Sequence, residues 1–123
     1  MKNITLILSV FLCLNLGAQT YTLDSTVLTS RTVINNIDIP WEIIWGPDNF
    51  IWMTERYGRV SRVNPQTGTQ TMILDLSSTV YAQSEAGLLG MVLHPDFTNQ
   101  PYVYLVYTYQ SGPNVRERLV RYT

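Results

Sequence analysis

Two turn motifs, Gly46-Pro47-Asp48 and His94-Pro95-Asp96, recur 48 residues apart, and each closes one apolar segment and precedes another. A period of that size is the period of a β-propeller blade, roughly 40–50 residues carrying four short strands. The repeat also assigns the only histidine of the chain, His94, to a turn before any catalytic role is considered.

The segments around these motifs read as strands. Apolar residues alternate or run in short bursts, and Gly, Pro, Asn and Asp punctuate them at close intervals, so no helix is predicted. Trp41 to Trp45, Phe50 to Glu55, Arg59 to Val63 and Thr69 to Leu74 give four consecutive strands. Their separators, Pro47-Asp48-Asn49, Tyr57-Gly58 and Asn64-Pro65-Gln66-Thr67-Gly68, have turn chemistry: Pro fixes φ, Gly accepts positive φ, and Asn and Asp bond their own backbone. Four short antiparallel strands joined by tight turns form one blade. Gly87 to Leu93, Tyr102 to Tyr109 and Arg116 to Tyr122 restart the pattern, and the sequence stops at Thr123 before a fourth strand. The expected fold class is therefore all-β, a partial propeller made of the first blade plus three strands of the second. An open seven-stranded sandwich is the alternative. Blades bury their faces against neighbours, and roughly three or more repeats are needed for a stable stack, so the chain is expected to be a fragment of a longer protein.

Residues 1–18 are set apart from the fold. Met1-Lys2-Asn3 is a short positive start, Ile4 to Leu16 is a nearly continuous apolar run, and Gly17-Ala18-Gln19 offers a small-residue cleavage point, the pattern of a secretory signal peptide. The run is shorter than the roughly 20 residues of a bilayer-spanning helix, so no stable membrane span is expected after cleavage. Cys13 lacks the small residue that precedes a lipidated cysteine. Residues 19–36 then form a lead-in segment, and 37–123 the propeller part. Export to the periplasm or the medium follows as the expected localisation. Without residues 1–18 the chain has no Cys and no Lys, and seven Arg stand against nine Asp and Glu. With no basic stripe, nucleic acid is not an expected partner.

Beyond pattern, the residues carry a resemblance. Pro40-Trp41-Glu42-Ile43, Trp45-Gly46-Pro47-Asp48-Asn49-Phe50-Ile51-Trp52-Met53-Thr54-Glu55-Arg56, Gly58-Arg59-Val60, Arg62-Val63-Asn64-Pro65 and Gly68 come first. Glu85-Ala86-Gly87-Leu88-Leu89-Gly90-Met91, His94-Pro95-Asp96-Phe97, Asn99, Pro101-Tyr102-Val103-Tyr104 and Tyr107-Thr108 follow in order. Together they resemble the opening of the soluble glucose/sorbosone dehydrogenase family over about Ile37 to Thr123. The resemblance implies a six-bladed β-propeller whose full-length members oxidise the anomeric carbon of aldoses with pyrroloquinoline quinone (PQQ) and calcium, passing electrons to an external acceptor. It implies too that the catalytic histidine, the quinone-binding side chains and the calcium ligands lie in later segments. No catalytic, cofactor or metal residue is therefore expected in this chain, and the chain alone is expected to be inactive.

Glu85 is the one candidate substrate contact. It matches a family position, Gln in glucose-oxidising members, that faces the central cavity and touches sugar hydroxyls; a carboxylate there adds charge and loses the amide donors. The alternative is a carboxylate bonded to backbone N–H groups at the start of a strand. His94 matches the family's structural turn and is not promoted to a base. Glu42 opens the innermost strand, where a packing or hydrogen-bond role is favoured over a channel-facing one. Glu55 and Arg56 are read as a structural ion pair or a solvated rim, and Arg59 and Arg62 fall on opposite faces by parity, so they form no single anion clamp. Trp41, Trp45 and Trp52 are read as core packing rather than a sugar-stacking platform, and the pairs Tyr102/Tyr104 and Tyr107/Tyr109 as cross-strand packing. No zinc cluster, phosphate loop, nucleophile elbow or EF-hand calcium loop is present. An exported quinoprotein sugar oxidoreductase is the leading reading, and a non-enzymatic propeller that binds protein or carbohydrate partners is the alternative.

Overall fold

The computed structural model describes residues 19–123, so residues 1–18, expected from their sequence to be a signal peptide, lie outside the described residues. All regular structure among the described residues is β, and contacts divide the chain after Thr32.

The lead-in carries a hairpin of its own. Gln19–Leu23 (β1) and Thr26–Ser30 (β2) pair antiparallel about a two-residue turn at Asp24-Ser25. Asp24 takes φ 54°, which Asp tolerates because its short side chain bonds locally. Every strand residue of this hairpin is exposed.

Residues 33–123 carry two antiparallel meanders. Pro40–Trp45 (β3), Ile51–Glu55 (β4), Arg59–Val63 (β5) and Gln70–Asp75 (β6) form a four-stranded sheet in sequence order. Leu88–Leu93 (β7), Val103–Ser111 (β8) and Asn114–Tyr122 (β9) form a three-stranded sheet, again in sequence order. Each strand pairs with its chain neighbour and no connection crosses a sheet. The arrangement is that of a complete propeller blade followed by three strands of the next, and not of a Greek-key sandwich.

The repeated motif sits at equivalent places. Gly46 N–H donates to Phe50 O at 2.8 Å in the β3–β4 turn, and His94 N–H donates to Tyr102 O at 2.9 Å in the β7–β8 turn. Only the first position must be glycine. A Cβ on Gly46 would stand 2.4 Å from both the Asp48 carboxylate and the Trp52 indole nitrogen, because those two groups bond across that space at 3.0 Å.

The core lies between the two sheets. Trp52 and Val60 from the first meet Leu88, Met91, Leu105 and Tyr107 from the second, with Val80 from the connection. Leu88 and Leu105 are fully buried, and each contributes about 1.5–3 kcal/mol of apolar burial. Parity explains the selection, since Ile44, Trp52, Thr54, Val60 and Leu74 line one face of the first sheet in register.

Two bulges kink the innermost strands, one between Pro40 and Ile43 on β3 and one between Leu88 and Gly90 on β7. A bulge frees backbone groups from the ladder. One hydroxyl answers both: the fully buried Thr54 Oγ1 accepts from Glu42 N–H at 3.0 Å and donates to Leu89 O at a longer 3.4 Å.

The core reading holds for Trp52, which is 6% exposed, and fails for Trp41 and Trp45, which are 46% and 62% exposed. Trp45 lies beside Ile43 on the opposite sheet face from Trp52, and no described residue covers that end of it. Three of the four tyrosines pack against arginines of β9: Arg118 stacks on Tyr109 and Tyr107, and Arg121 on Tyr102.

Asp48 anchors the first turn. Its carboxylate accepts from Trp52 Nε1 at 3.0 Å, Arg62 at 2.9 Å and Phe50 N–H at 3.3 Å. Burial opposes ionisation, but these bonds outweigh it and hold the pKa below the usual 3.8. A depressed carboxylate stabilises the fold above its unfolded pKa and loses that contribution as pH falls through the folded value. Asp48→Asn in the intact gene product should cost about 1 kcal/mol at pH 7. In urea melts at a series of pH values, that deficit should close as pH drops from 3.8 through the lower folded-state value; a pH-independent deficit contradicts the assignment.

Candidate functional site

Glu85 is carried by the connection between the two sheets, at the approach to the innermost strand β7. Gln83 O accepts from Ala86 N–H at 2.9 Å, closing a turn in which Ser84 takes φ 51°. Glu85 is exposed at this turn. Its carboxylate has no hydrogen bond or ion pair among the described residues. The alternative of a carboxylate tied to backbone amides is therefore not what the structure shows.

Free as the carboxylate is, the loop beneath it is tied down. Thr108 Oγ1 donates to Tyr81 O at 2.5 Å and accepts from Gly87 N–H at 2.8 Å, so one buried hydroxyl joins both ends of the segment. Backbone bonds run alongside, from Tyr81 N–H to Thr108 O at 2.9 Å and from Thr108 N–H to Gly87 O at 3.0 Å. The Arg56 guanidinium donates to Ser84 O at the apex and to the Tyr57 hydroxyl at 3.0 Å. Leu88 N–H donates to Arg56 O at 2.8 Å, seating β7 against the end of β4. Gly87 is required by this approach, because a Cβ there would lie 2.4 Å from Arg56 Cγ and 2.6 Å from Arg56 O.

Other acidic and basic candidates fall elsewhere. Glu55 is neither paired with Arg56 nor on a solvated rim: it is 4% exposed, and its Oε1 accepts from Ser61 at 2.9 Å and from Gln70 at 2.7 Å. Parity puts it on the sheet face away from Trp52, where it lines a polar cleft of about 440 Å³ with Asp38, Arg59, Ser61, Gln70 and Asp75. Arg62 is held instead by Asp48, so Arg59 and Arg62 do diverge. Glu42 is half-buried, with its carboxylate accepting from Ile43 N–H at 3.3 Å. His94 behaves as a turn residue. Its Nδ1 accepts from Asp96 N–H at 3.1 Å and its ring meets Tyr102 edge-on.

What the arrangement offers chemically is one exposed carboxylate, able to accept hydrogen bonds from hydroxyls. Among the described residues no three His, Cys, Asp or Glu side chains come together to hold a metal ion. Arg56 donates to the Glu85 loop at Ser84 O, and Arg62 is held by Asp48. Nor is any helix among the described residues long and apolar enough to cross a membrane.

Sequence reasoning singled out Glu85 as a candidate but did not name the groups that hold its loop. Thr108 sits within a strand of ordinary β-forming residues, and only its pairing with residues 21 and 27 positions earlier reveals it. Thr54 was hidden in the same way.

The comparisons bear on residues 37–123, which match the sequence profile described as Glucose / Sorbosone dehydrogenase. Quinoprotein glucose dehydrogenase B of Acinetobacter calcoaceticus is 37% identical over 95 residues, 76% of this chain and 20% of that protein. The PQQ-bound aldose sugar dehydrogenase of Streptomyces coelicolor superposes with a TM-score of 0.67 at 27% identity, over 86% of this chain and 28% of that one. The apo soluble aldose sugar dehydrogenase of Escherichia coli gives a TM-score of 0.57 at 27% identity, over 69% and 25%. The chain thus spans about a fifth of the curated relative's length.

Gly87→Ala should destabilise the intact gene product by about 2 kcal/mol or more, because the methyl meets a carbonyl that cannot yield without moving β4. Urea denaturation measures the loss, and a variant within 0.5 kcal/mol of the parent, roughly the spread of a harmless substitution, contradicts the packing argument.

Proposed function

The chain belongs to the glucose/sorbosone dehydrogenase family, and from that membership we propose that its intact gene product is an exported quinoprotein oxidoreductase that oxidises aldose sugars at the anomeric carbon. Glu85 supplies a substrate contact, accepting hydrogen bonds from sugar hydroxyls. The observation that carries this role is the contrast at the loop itself: an exposed carboxylate with no intramolecular partner, on a backbone fixed at both ends by a buried threonine.

PQQ supplies the electron sink when bound, and calcium accompanies it. The groups that hold them, and the base that takes the sugar proton, belong to segments beyond the residues described here. Turnover would need an external electron acceptor to take the electrons from the reduced quinone. Support for the quinone comes from the relatives, a quinoprotein and a PQQ-bound dehydrogenase; export rests on the pattern of residues 1–18. A carboxylate in place of an amide removes two donors, so the hydroxyl preference is expected to differ from that of a site built with Gln.

The test is turnover by the intact gene product reconstituted with PQQ and calcium, using a redox dye as acceptor and a panel of aldoses. Aldose-dependent dye reduction is expected, with Glu85→Ala raising KM about 10-fold and changing kcat less, as for a contact shared by ground and transition states. A folded protein that turns over no aldose overturns the enzymatic reading and favours a binding propeller.

A further inference from the structure

We propose that Thr108 is a positioning residue that sets sugar affinity through Glu85, with Arg56 pinning the apex of the same loop; the inference rests on the sugar-contact reading of Glu85.

The geometry is specific. Thr108 is 5% exposed and lies within β8, where a strand residue usually satisfies only its ladder neighbours. Here it makes four bonds to the two ends of one loop: hydroxyl to Tyr81 O and from Gly87 N–H, backbone O from Tyr81 N–H, and backbone N–H to Gly87 O. The five residues between those ends include Glu85. The Ser84 carbonyl, next to Glu85 in the chain, is taken by Arg56. The loop is therefore fixed at base and apex while the Glu85 side chain is left free.

Such a clamp acts through populations. A loop released from its hydroxyl bonds samples conformers in which the carboxylate is misplaced, and apparent affinity falls by the fraction that remains competent. Losing both hydroxyl bonds raises the ratio of misplaced to competent conformers by about 3- to 10-fold per bond, and the competent fraction falls once misplaced conformers are comparably populated. Chemistry in the bound complex is unaffected, because once sugar is held the competent conformer is the one occupied. The signature is a rise in KM with kcat preserved, which general damage to the fold does not produce.

Valine at position 108 keeps the shape of threonine and deletes only the hydroxyl. In the intact, quinone-loaded gene product with D-glucose as probe, Thr108→Val should raise KM about 3- to 10-fold with kcat within about twofold. Amide exchange at Gly87 should quicken by a similar factor while β4 and β5 stay protected. Thr108→Ser should restore both. Arg56→Met, which frees the apex and leaves the buried hydroxyl in place, should give the same split between KM and kcat and remains available if Thr108→Val fails to fold. In a Glu85→Ala background Thr108→Val should add no further rise in KM, since the residue it positions is gone. An equal rise in that background overturns the proposal, as does unchanged Gly87 exchange in Thr108→Val. The exchange measurement needs no substrate, so turnover of no aldose by the parent protein counts against the enzymatic reading, while exchange alone judges the clamp.

Discussion

Gly87 passes so close to the Arg56 carbonyl that no side chain fits between them, and the rest of the two-sheet unit follows from that approach. It lets Leu88 N–H reach Arg56 O, which starts β7 in register against the end of β4. Leu88 is then driven fully into the core, where it meets Trp52 and Val60 from the first sheet and Leu105 from the second. Two buried threonines complete the seam. Thr54 bonds the spare backbone groups of the bulged strands, and Thr108 bonds the ends of the loop that joins the sheets. Unpaired backbone groups at such a depth cost about as much as a lost hydrogen bond each, so these hydroxyls are part of what makes the close packing possible.

The repeat of Pro-Asp turns shows how a blade tolerates change at one position and not at another. Both turns close the first hairpin of their sheet with an equivalent backbone bond. In the first, Asp48 reaches across to Trp52 and Arg62, and the glycine before it leaves room for that crossing. In the second, Asp96 bonds Asn99 instead, and the space freed admits the His94 ring, which caps the turn through Nδ1. The histidine is explained by this local geometry alone.

Much of the fold was legible because its signals are local. Alternation places β3 to β9 to within a residue or two at most ends, and turn chemistry marks their separators. The hairpin β1–β2 carries the same local signals, Tyr21 and Leu23 alternating with Thr20 and Thr22 before an Asp24-Ser25 turn, and was passed over as a lead-in because it precedes the repeat; its strands bury nothing. The exposure of Trp41 and Trp45 escaped because parity says which residues share a face but not whether that face is covered. Glu55 was misplaced for a related reason: its partners Ser61 and Gln70 come from the next two strands, and only the sheet brings them together. At the candidate site, Glu85 was legible through resemblance, whereas Thr108 and Arg56 became visible only once the chain had folded back on itself.

The central claim is that this seam presents the Glu85 carboxylate to a sugar. A crystal structure of the intact gene product with a bound aldose tests it most directly. The account predicts a Glu85 carboxylate oxygen within about 3 Å of a sugar hydroxyl, with the Thr108 hydroxyl still bonded to Tyr81 and Gly87. A sugar bound elsewhere, with Glu85 left in solvent or paired to another side chain of the protein, would contradict it.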